Sequence, residues 1–205
     1  MPGCCANDYR RFFNRKFAAN DLRRYRRRGL GETERDLVVL AGDVRGASVL
    51  EVGGGIGALQ LELLEAGAGR ATNVELSAGY EDAAAELFEG REVERRVGDF
   101  VGDETEPHDV VVMHRVVCCY PDVDSLVGKA AESARRRLLL TYPRERWFIR
   151  VGLRAVNAFL ALRRCGFRTY VHPVARIDAA AGSRGLRLEQ RVPHALWESA
   201  AYVRS

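Results

Sequence analysis

From Gly46 to Leu140, short apolar, β-branched runs alternate with longer stretches rich in alanine, leucine and glutamate. Such alternation predicts parallel βαβ units, in which each helix returns the chain to the sheet edge where the next strand starts. The predicted strands are Ser48–Val52, Ala71–Glu75, Glu92–Val97, Asp109–Met113 and Arg137–Thr141, with helices near Gly57–Ala66, Gly79–Phe88 and Asp122–Ala134. Past Pro143, the residues Phe148, Val151, Ala155, Phe159 and Leu162 recur at helical spacing within Arg146–Arg164, opposite a stripe of Arg146, Arg150 and Arg154. A helix near Val174–Ala181 and two strands, Leu186–Val192 and Leu196–Val203, broken at Pro193-His194, close the chain. The expected fold class is α/β, a doubly wound seven-stranded sheet with a helical insertion after the fifth strand and a terminal antiparallel hairpin.

The first thirty residues set Tyr9, Phe12, Phe13, Phe17 and Tyr25 at helical spacing among arginines. This predicts one or two short basic helices that pack on the body or cover a ligand cleft. Residues 1–30 are therefore expected to lie over the cleft and 31–205 to form one domain, with 145–185 as its acceptor-side insertion. A chain of 205 residues, 47% apolar and 29% charged, fits one globular domain and excludes a fibrous or disordered protein. The start, Met-Pro-Gly-Cys-Cys, reads as a disordered leader without the apolar core of a secretory signal. No apolar run approaches the roughly 20 residues of a membrane span, so a cytoplasmic protein is expected.

The net charge of +4 conceals a division: residues 1–30 carry a local +7, 31–143 carry −11 and 144–191 carry +8. Two basic flanks bracket an acidic middle, which is either solvated charge or a hint of an anionic substrate. The five cysteines, Cys4, Cys5, Cys118, Cys119 and Cys165, show no Cys-x-x-Cys spacing, so no disulfide framework and no metal site is expected. Neighbours on a strand point to opposite faces, so Cys118 and Cys119 are expected to be small buried side chains that share no ligand.

The strongest local signal is the run from Val49 to Ala58, a buried strand entering a glycine-rich turn and then a helix. Glycines at 53, 55 and 57 remove Cβ atoms where a turn is tight and where a ligand lies against main-chain N–H groups. Gly53-x-Gly55-x-x-Ala58, with Glu75 22 residues after Gly53, also fits a loose dinucleotide pattern. Glu51 argues against it, because an acid just before the turn repels a pyrophosphate and attracts the cationic end of an aminoacyl ligand.

On these residues, Glu51-Val52-Gly53-Gly54-Gly55-Ile56-Gly57, the sequence resembles the class I S-adenosylmethionine-dependent methyltransferases, and the resemblance runs from about Val38 to the C-terminus. It implies a Rossmann-like sheet, S-adenosylmethionine as cofactor and S-adenosylhomocysteine as product. By the same resemblance Glu75, in Asn-Val-Glu-Leu-Ser, accepts from both ribose hydroxyls and Leu76 lies against the adenine. Asp99-Phe100 is similar to the acidic-aromatic step that meets the adenine, and Met113-His114 ends the fourth strand where the family lines the sulfonium and the acceptor. The closing strands match the family's terminal hairpin, which a dinucleotide domain lacks. Cys119-Tyr120-Pro121 is similar to the His-Tyr-Pro step of magnesium-protoporphyrin O-methyltransferases, which methylate a propionate carboxylate, but here cysteine replaces the histidine.

Methyl transfer is an in-line displacement that needs alignment and, for a protonated acceptor, a base. His114, at the carboxyl edge of the sheet, is the first candidate base, followed by His172 and Tyr120. Arg150 and Arg154, with Tyr170, are candidate acceptor-binding residues, since guanidinium offers a fork to carboxylate or phosphate. The expected function is methylation of a small acceptor, with an anionic one favoured; a carboxylate would need no base. A nucleic-acid methyltransferase is the alternative, motivated by Arg23-Arg24-Tyr25-Arg26-Arg27-Arg28, although no Asn-Pro-Pro-Tyr or Asp-Pro-Pro-Tyr step follows the fourth strand. A non-catalytic cofactor-binding scaffold and an NAD-dependent oxidoreductase are the remaining readings.

Overall fold

The computed structural model describes residues 4–89, 91 and 93–204. Three helices, α1 (Cys4–Phe12), α2 (Arg15–Arg28) and α3 (Glu32–Ala41), precede the first strand. The alternating region then forms β1 (Ser48–Val52), α4 (Ala58–Glu65), β2 (Arg70–Glu75), α5 (Glu81–Leu87), β3 (Glu94–Val97), β4 (His108–His114), α6 (Val123–Ser133) and β5 (Ala134–Pro143). The chain ends with α7 (Trp147–Leu162), α8 (Val174–Gly182), β6 (Leu186–Pro193) and β7 (Trp197–Arg204).

The seven strands form one sheet in the order β3-β2-β1-β4-β5-β7-β6, with β7 antiparallel to both β5 and β6. Alternation along each strand sorts its side chains into two cores. Leu50, Val52, Met113, Leu138 and Leu140 pack with α6 and α8 on one face, and Val49, Val112 and Leu139 pack with α2, α3 and α4 on the other. Strand order reverses between β1 and β4, and an open α/β sheet binds ligands beyond the carboxyl ends of its strands at such a switch point. Because β7 runs against β5, its first residue, Trp197, pairs with the last, Pro143, and so reaches that same edge.

Local side-chain chemistry fixes the helix starts. Asn14 caps α2 by accepting from the Lys16 and Phe17 amides, and Asp122 caps α6 through the Ser125 amide. The Glu34 carboxylate reaches back to the Gly31 amide, 2.5 Å away, at the start of α3.

Three expectations need correction. The stripe Phe148, Val151, Phe159 and Leu162 is not the buried face of α7; Leu162 is 81% exposed and the buried residues are Ile149 and Leu160. This helix is apolar around most of its circumference, so periodicity did not single out the face that packs. Cys118 and Cys119 lie not on a strand but in a 3₁₀ turn, Val117–Cys119, so their side chains are not on opposite faces. β5 starts at Ala134, directly after α6 and three residues before the expected Arg137; Arg135 and Arg136 lie exposed at an irregularity in the pairing with β4, so no apolar run marks this part of the strand. Met1 to Gly3 of the expected leader, and Glu92 at the expected start of the third strand, lie outside the described residues. No helix among the described residues is long and apolar enough to cross a membrane.

Leu139, fully buried in the central part of β5, tests this core. Leu139→Ala is expected to lower unfolding free energy by about 2–5 kcal/mol, read as a lower urea midpoint with an unchanged slope.

Candidate active site

The site grows from the way β1 ends. Gly53 donates to the Val74 carbonyl at 2.7 Å, and the chain then turns away from the sheet. Gly53 has φ +64°, and a Cβ there would lie 2.6 Å from Cγ2 of Val116. Gly55 has φ +56°, and a Cβ there would press on the Tyr80 ring at 3.1 Å. Only glycine takes both the backbone and the space without cost. Gly57, at φ +85°, instead starts α4 and faces the Phe88 ring behind the turn.

Two buried carboxylates stand beside this turn. Glu75, at the end of β2, accepts from the Gly55 amide at 3.0 Å and from the Ser77 amide at 2.9 Å. Glu51, on β1, accepts from the Gln60 amide at 3.1 Å and the Asn73 side chain at 3.2 Å. Burial raises the pKa of both, that of Glu51 to about 8. Neither forms a direct ion pair among the described residues; the nearby Arg95 charge offsets only part of the cost of burying them. Arg95 braces the turn from behind, donating to the Gly55 carbonyl at 2.7 Å and pairing with Glu81 at 3.0 Å.

Two cavities meet at Gly53, Val116 and Cys119. The smaller, about 150 Å³, is a mainly apolar slot between Val52, Leu76, Phe100 and Tyr120, with Asp99 and Tyr170 on its wall. The larger, about 520 Å³, is lined by Glu51 and Glu75, by His114, Arg115 and Trp197, and by the charged Asp21, Arg24 and Glu34. Aromatic side chains roof both. Phe12 stacks on Phe167 with centroids 4.8 Å apart, Phe13 meets the same ring edge-on at 5.3 Å, and Tyr9 borders both cavities. Helix α1 is tied to the sheet edge by Arg10, which donates to the Leu76 carbonyl at 3.1 Å, and by Ser77, which donates to the Phe13 carbonyl at 2.5 Å.

The structure thus brings Glu51, Gly53, Gly55, Glu75, Leu76, Asp99, Phe100 and His114 to one connected space, with Gly57 behind it. His114 bonds through Nε2 to the Thr33 hydroxyl at 2.9 Å, with Glu34 3.7 Å from Nδ1. Burial pushes its pKa down to about 4, against the pull of Glu34, so the ring is neutral at pH 7. Tyr120 and Tyr170 border the small cavity rather than the large one. His172 is buried and donates from Nε2 to the Tyr120 carbonyl at 2.9 Å; it borders neither cavity and so sits behind the wall it supports. Arg150 and Arg154 also fall outside both linings, because the arginine face of α7 turns to solvent, where Arg150 pairs with Glu145. The insertion contributes Val156 and Leu160 to the large cavity instead.

Several wall residues carried no signal in the sequence. Arg115 follows His114 at φ +58°, a strained conformation for a side chain of its size. Its guanidinium lies 4.6 Å from the Trp197 ring centroid and 3.4 Å from the Thr33 hydroxyl, and it makes no ion pair among the described residues. Thr33, Glu34 and Trp197 come from elements far apart in the chain, so only tertiary structure brings them to His114. In the arginine run, Arg24 pairs with Glu34, Arg26 with Glu86, and Tyr25 donates to Glu62 at 2.7 Å. Arg23 also donates to Asn20, so four of the six residues of that stretch are engaged internally rather than offered to a phosphate backbone.

No protein-family model matches the sequence, and no curated protein does. Solved structures do match. Magnesium protoporphyrin IX methyltransferase from Synechocystis PCC 6803, with bound SAH, superposes with a TM-score of 0.71 at 22% identity, over 96% of this chain and 98% of that one. An S-adenosylmethionine-dependent methyltransferase from Mesorhizobium loti gives 0.67 at 13% identity, over 85% and 99%. A TehB-like SAM-dependent methyltransferase from Corynebacterium glutamicum gives 0.66 at 17% identity, over 93% and 98%. With its strand order and closing hairpin, the chain has the Rossmann-like fold of the class I S-adenosylmethionine-dependent methyltransferases.

Proposed function

We propose that this chain transfers a methyl group from S-adenosylmethionine to a small anionic acceptor, a carboxylate in the simplest case. The observation that carries the proposal is the pair of joined cavities, one apolar slot and one chamber lined by two buried carboxylates, Glu51 and Glu75, and by the Arg115 guanidinium, which makes no direct ion pair among the described residues. The residues fit the cofactor. Glu75 has lone pairs left for ribose hydroxyls, Leu76 and Phe100 flank a slot suited to adenine with Asp99 beside it, and Glu51 faces the chamber where a cationic aminoacyl end would lie. When bound, the sulfonium supplies an electrophilic methyl group with a neutral thioether as leaving group.

The chain's own residues do the rest. Phe12, Phe13 and Phe167 keep water from the junction of the two cavities and lower the dielectric there. In such surroundings a reaction that neutralises a cation and an anion is favoured over its separated charges. Arg115, steadied by Trp197 and Thr33, binds the acceptor's anionic group and aims it towards Gly53 and Cys119, where the cavities meet. An ionised carboxylate needs no proton removed, which suits a His114 that burial keeps neutral and Thr33 holds in place. Residues 4–30 act as the cover of the cleft, and 145–185 as the acceptor-side wall.

Calorimetric titration with S-adenosylhomocysteine is expected to show micromolar binding, with none for NAD. Glu75→Gln and Gly55→Val are each expected to weaken it, the first by about 10–100-fold through a lost charged acceptor. Wild-type affinity in both variants, or preferential NAD binding, would overturn the cofactor site.

His114 is expected to stay neutral down to about pH 5 in nitrogen-resolved NMR titration. Its folded-state pKa lies below the unfolded value, so the stability it contributes is full above pH 6.5 and declines as the pH falls towards 4.

With aromatic and aliphatic carboxylic acids as acceptors and radiolabelled methyl as the readout, Arg115→Ala is expected to raise KM about tenfold or more while S-adenosylhomocysteine affinity stays unchanged. Charge reversal at Arg150 and Arg154 is expected to leave KM as it was. The opposite pattern would place the acceptor on the outer face of α7.

A further inference from the structure

We propose that Cys118 and Cys119 form a redox-active vicinal dithiol, a modification site at which a low-mass disulfide oxidises the pair to an intramolecular disulfide and so reshapes the ligand cavities. Adjacent cysteines on a strand could not do this. In the 3₁₀ turn Val117–Cys119, however, both thiols swing to the same side, with Sγ atoms 3.5 Å apart and both directed at the Arg115 carbonyl, at 3.3 and 3.5 Å. Both side chains border the large cavity and Cys119 also borders the small one, so a small reagent entering either meets a thiol.

The two thiols are chemically unequal. Donation from the Cys119 side chain pulls the Cys118 thiol below its usual pKa against the effect of burial, and Arg115 adds to that pull; the same bond pushes Cys119 up. One thiolate therefore forms while its neighbour keeps a proton, the state from which thiol–disulfide exchange starts. The Cys118 thiolate attacks one sulfur of R–S–S–R, forms a mixed disulfide and expels RS⁻. Cys119, losing its proton, then attacks Cys118 Sγ, forms the Cys118–Cys119 bond and expels the second RS⁻. The two thiol protons go to the two released thiolates, and two electrons pass from the cysteine pair to the small disulfide.

Consecutive Cα atoms are about 3.8 Å apart across a trans peptide, short of the roughly 4.4 Å where ordinary disulfides begin. The bond is therefore strained and readily reduced, which marks a reversible modification rather than a structural staple. Its closure is felt at both cavities. The turn is anchored at one end by Val116, whose Cγ2 occupies the space above Gly53, and at the other by Tyr120 in the wall of the slot.

The test uses the full chain and 2-hydroxyethyl disulfide. Trypsin releases Val116–Lys129, which contains these two cysteines and no other. After exposure, alkylation and digestion, this peptide is expected to appear unalkylated and lighter than its dithiol form by two hydrogens, and dithiothreitol is expected to reverse the change. Cys118→Ser and Cys119→Ser should each trap a mixed disulfide on the remaining thiol. S-adenosylhomocysteine is expected to bind the oxidised chain about tenfold more weakly than the reduced one. A peptide still alkylated at both cysteines, under conditions that modify Cys165, would overturn the dithiol, and unchanged affinity after complete oxidation would overturn its link to the cavities. The peptide mass is read without any ligand, so failure here and failure of the methyltransferase reading are separate results.

Discussion

The structure depends on one turn being held open. Between β1 and α4 the chain leaves the sheet through Gly53 to Gly57, and three bonds fix its path: Gly53 to the Val74 carbonyl, Gly55 to the Glu75 carboxylate, and Arg95 to the Gly55 carbonyl. Glu75 thus has two duties, for it fixes the turn and also faces the chamber that the turn encloses. The backbone is held by side chains of β2 and β3, so the site is built on the sheet rather than on a mobile loop. A site on rigid elements holds a ligand more precisely than one on a loop.

Burial of Glu51 and Glu75 has an electrostatic consequence. A carboxylate in such surroundings is costly when ionised, and both groups respond with raised pKa values. The ligand-free protein therefore holds Glu51 largely protonated at neutral pH. A cation entering the chamber favours the ionised form, so binding and proton release are coupled there. Backbone amides and the Arg95 charge recover only part of what burial costs here, so a cation in the chamber would add to that compensation. An NAD pyrophosphate would add negative charge to the same chamber, where a buried carboxyl group gains nothing by ionising.

Periodicity and punctuation made most of the fold legible. β1, β4 and the closing hairpin are bounded where β-branched runs meet glycine or proline, and the glycine turn follows from a strand that ends in Gly53. Legibility stopped where the determinant was contact rather than pattern. Helix α7 has apolar side chains on most sides, so periodicity selected Phe159 and Leu162, whereas packing buried Ile149 and Leu160. Arg115 lies one residue past a strand end and looks like any solvated arginine until Trp197 arrives from a strand over 80 positions away. Read by strand geometry, Cys118 and Cys119 are neighbours on opposite faces; a 3₁₀ turn reverses that geometry.

The division of charge along the chain also acquires a structural meaning. The basic flanks do not face outward as two independent patches, because many of their arginines cross over to acids of the middle segment. Arg24 meets Glu34, Arg26 meets Glu86, and Arg176 meets Asp124. The exposed pairs, Arg26–Glu86 and Arg176–Asp124, contribute little stability individually, and the half-buried Arg24–Glu34 pair fixes α2 against α3. The pairing draws α2 down beside the cleft and leaves α1 and its phenylalanines over it. Against this background Arg115 differs in kind. It belongs to the acidic middle, lines the large cavity, and is held by a ring and a hydroxyl instead of a carboxylate. Glu34 and Asp21 pull on its charge from nearby without pairing with it directly, and its backbone sits at φ +58°, a conformation that costs energy for a side chain of its size.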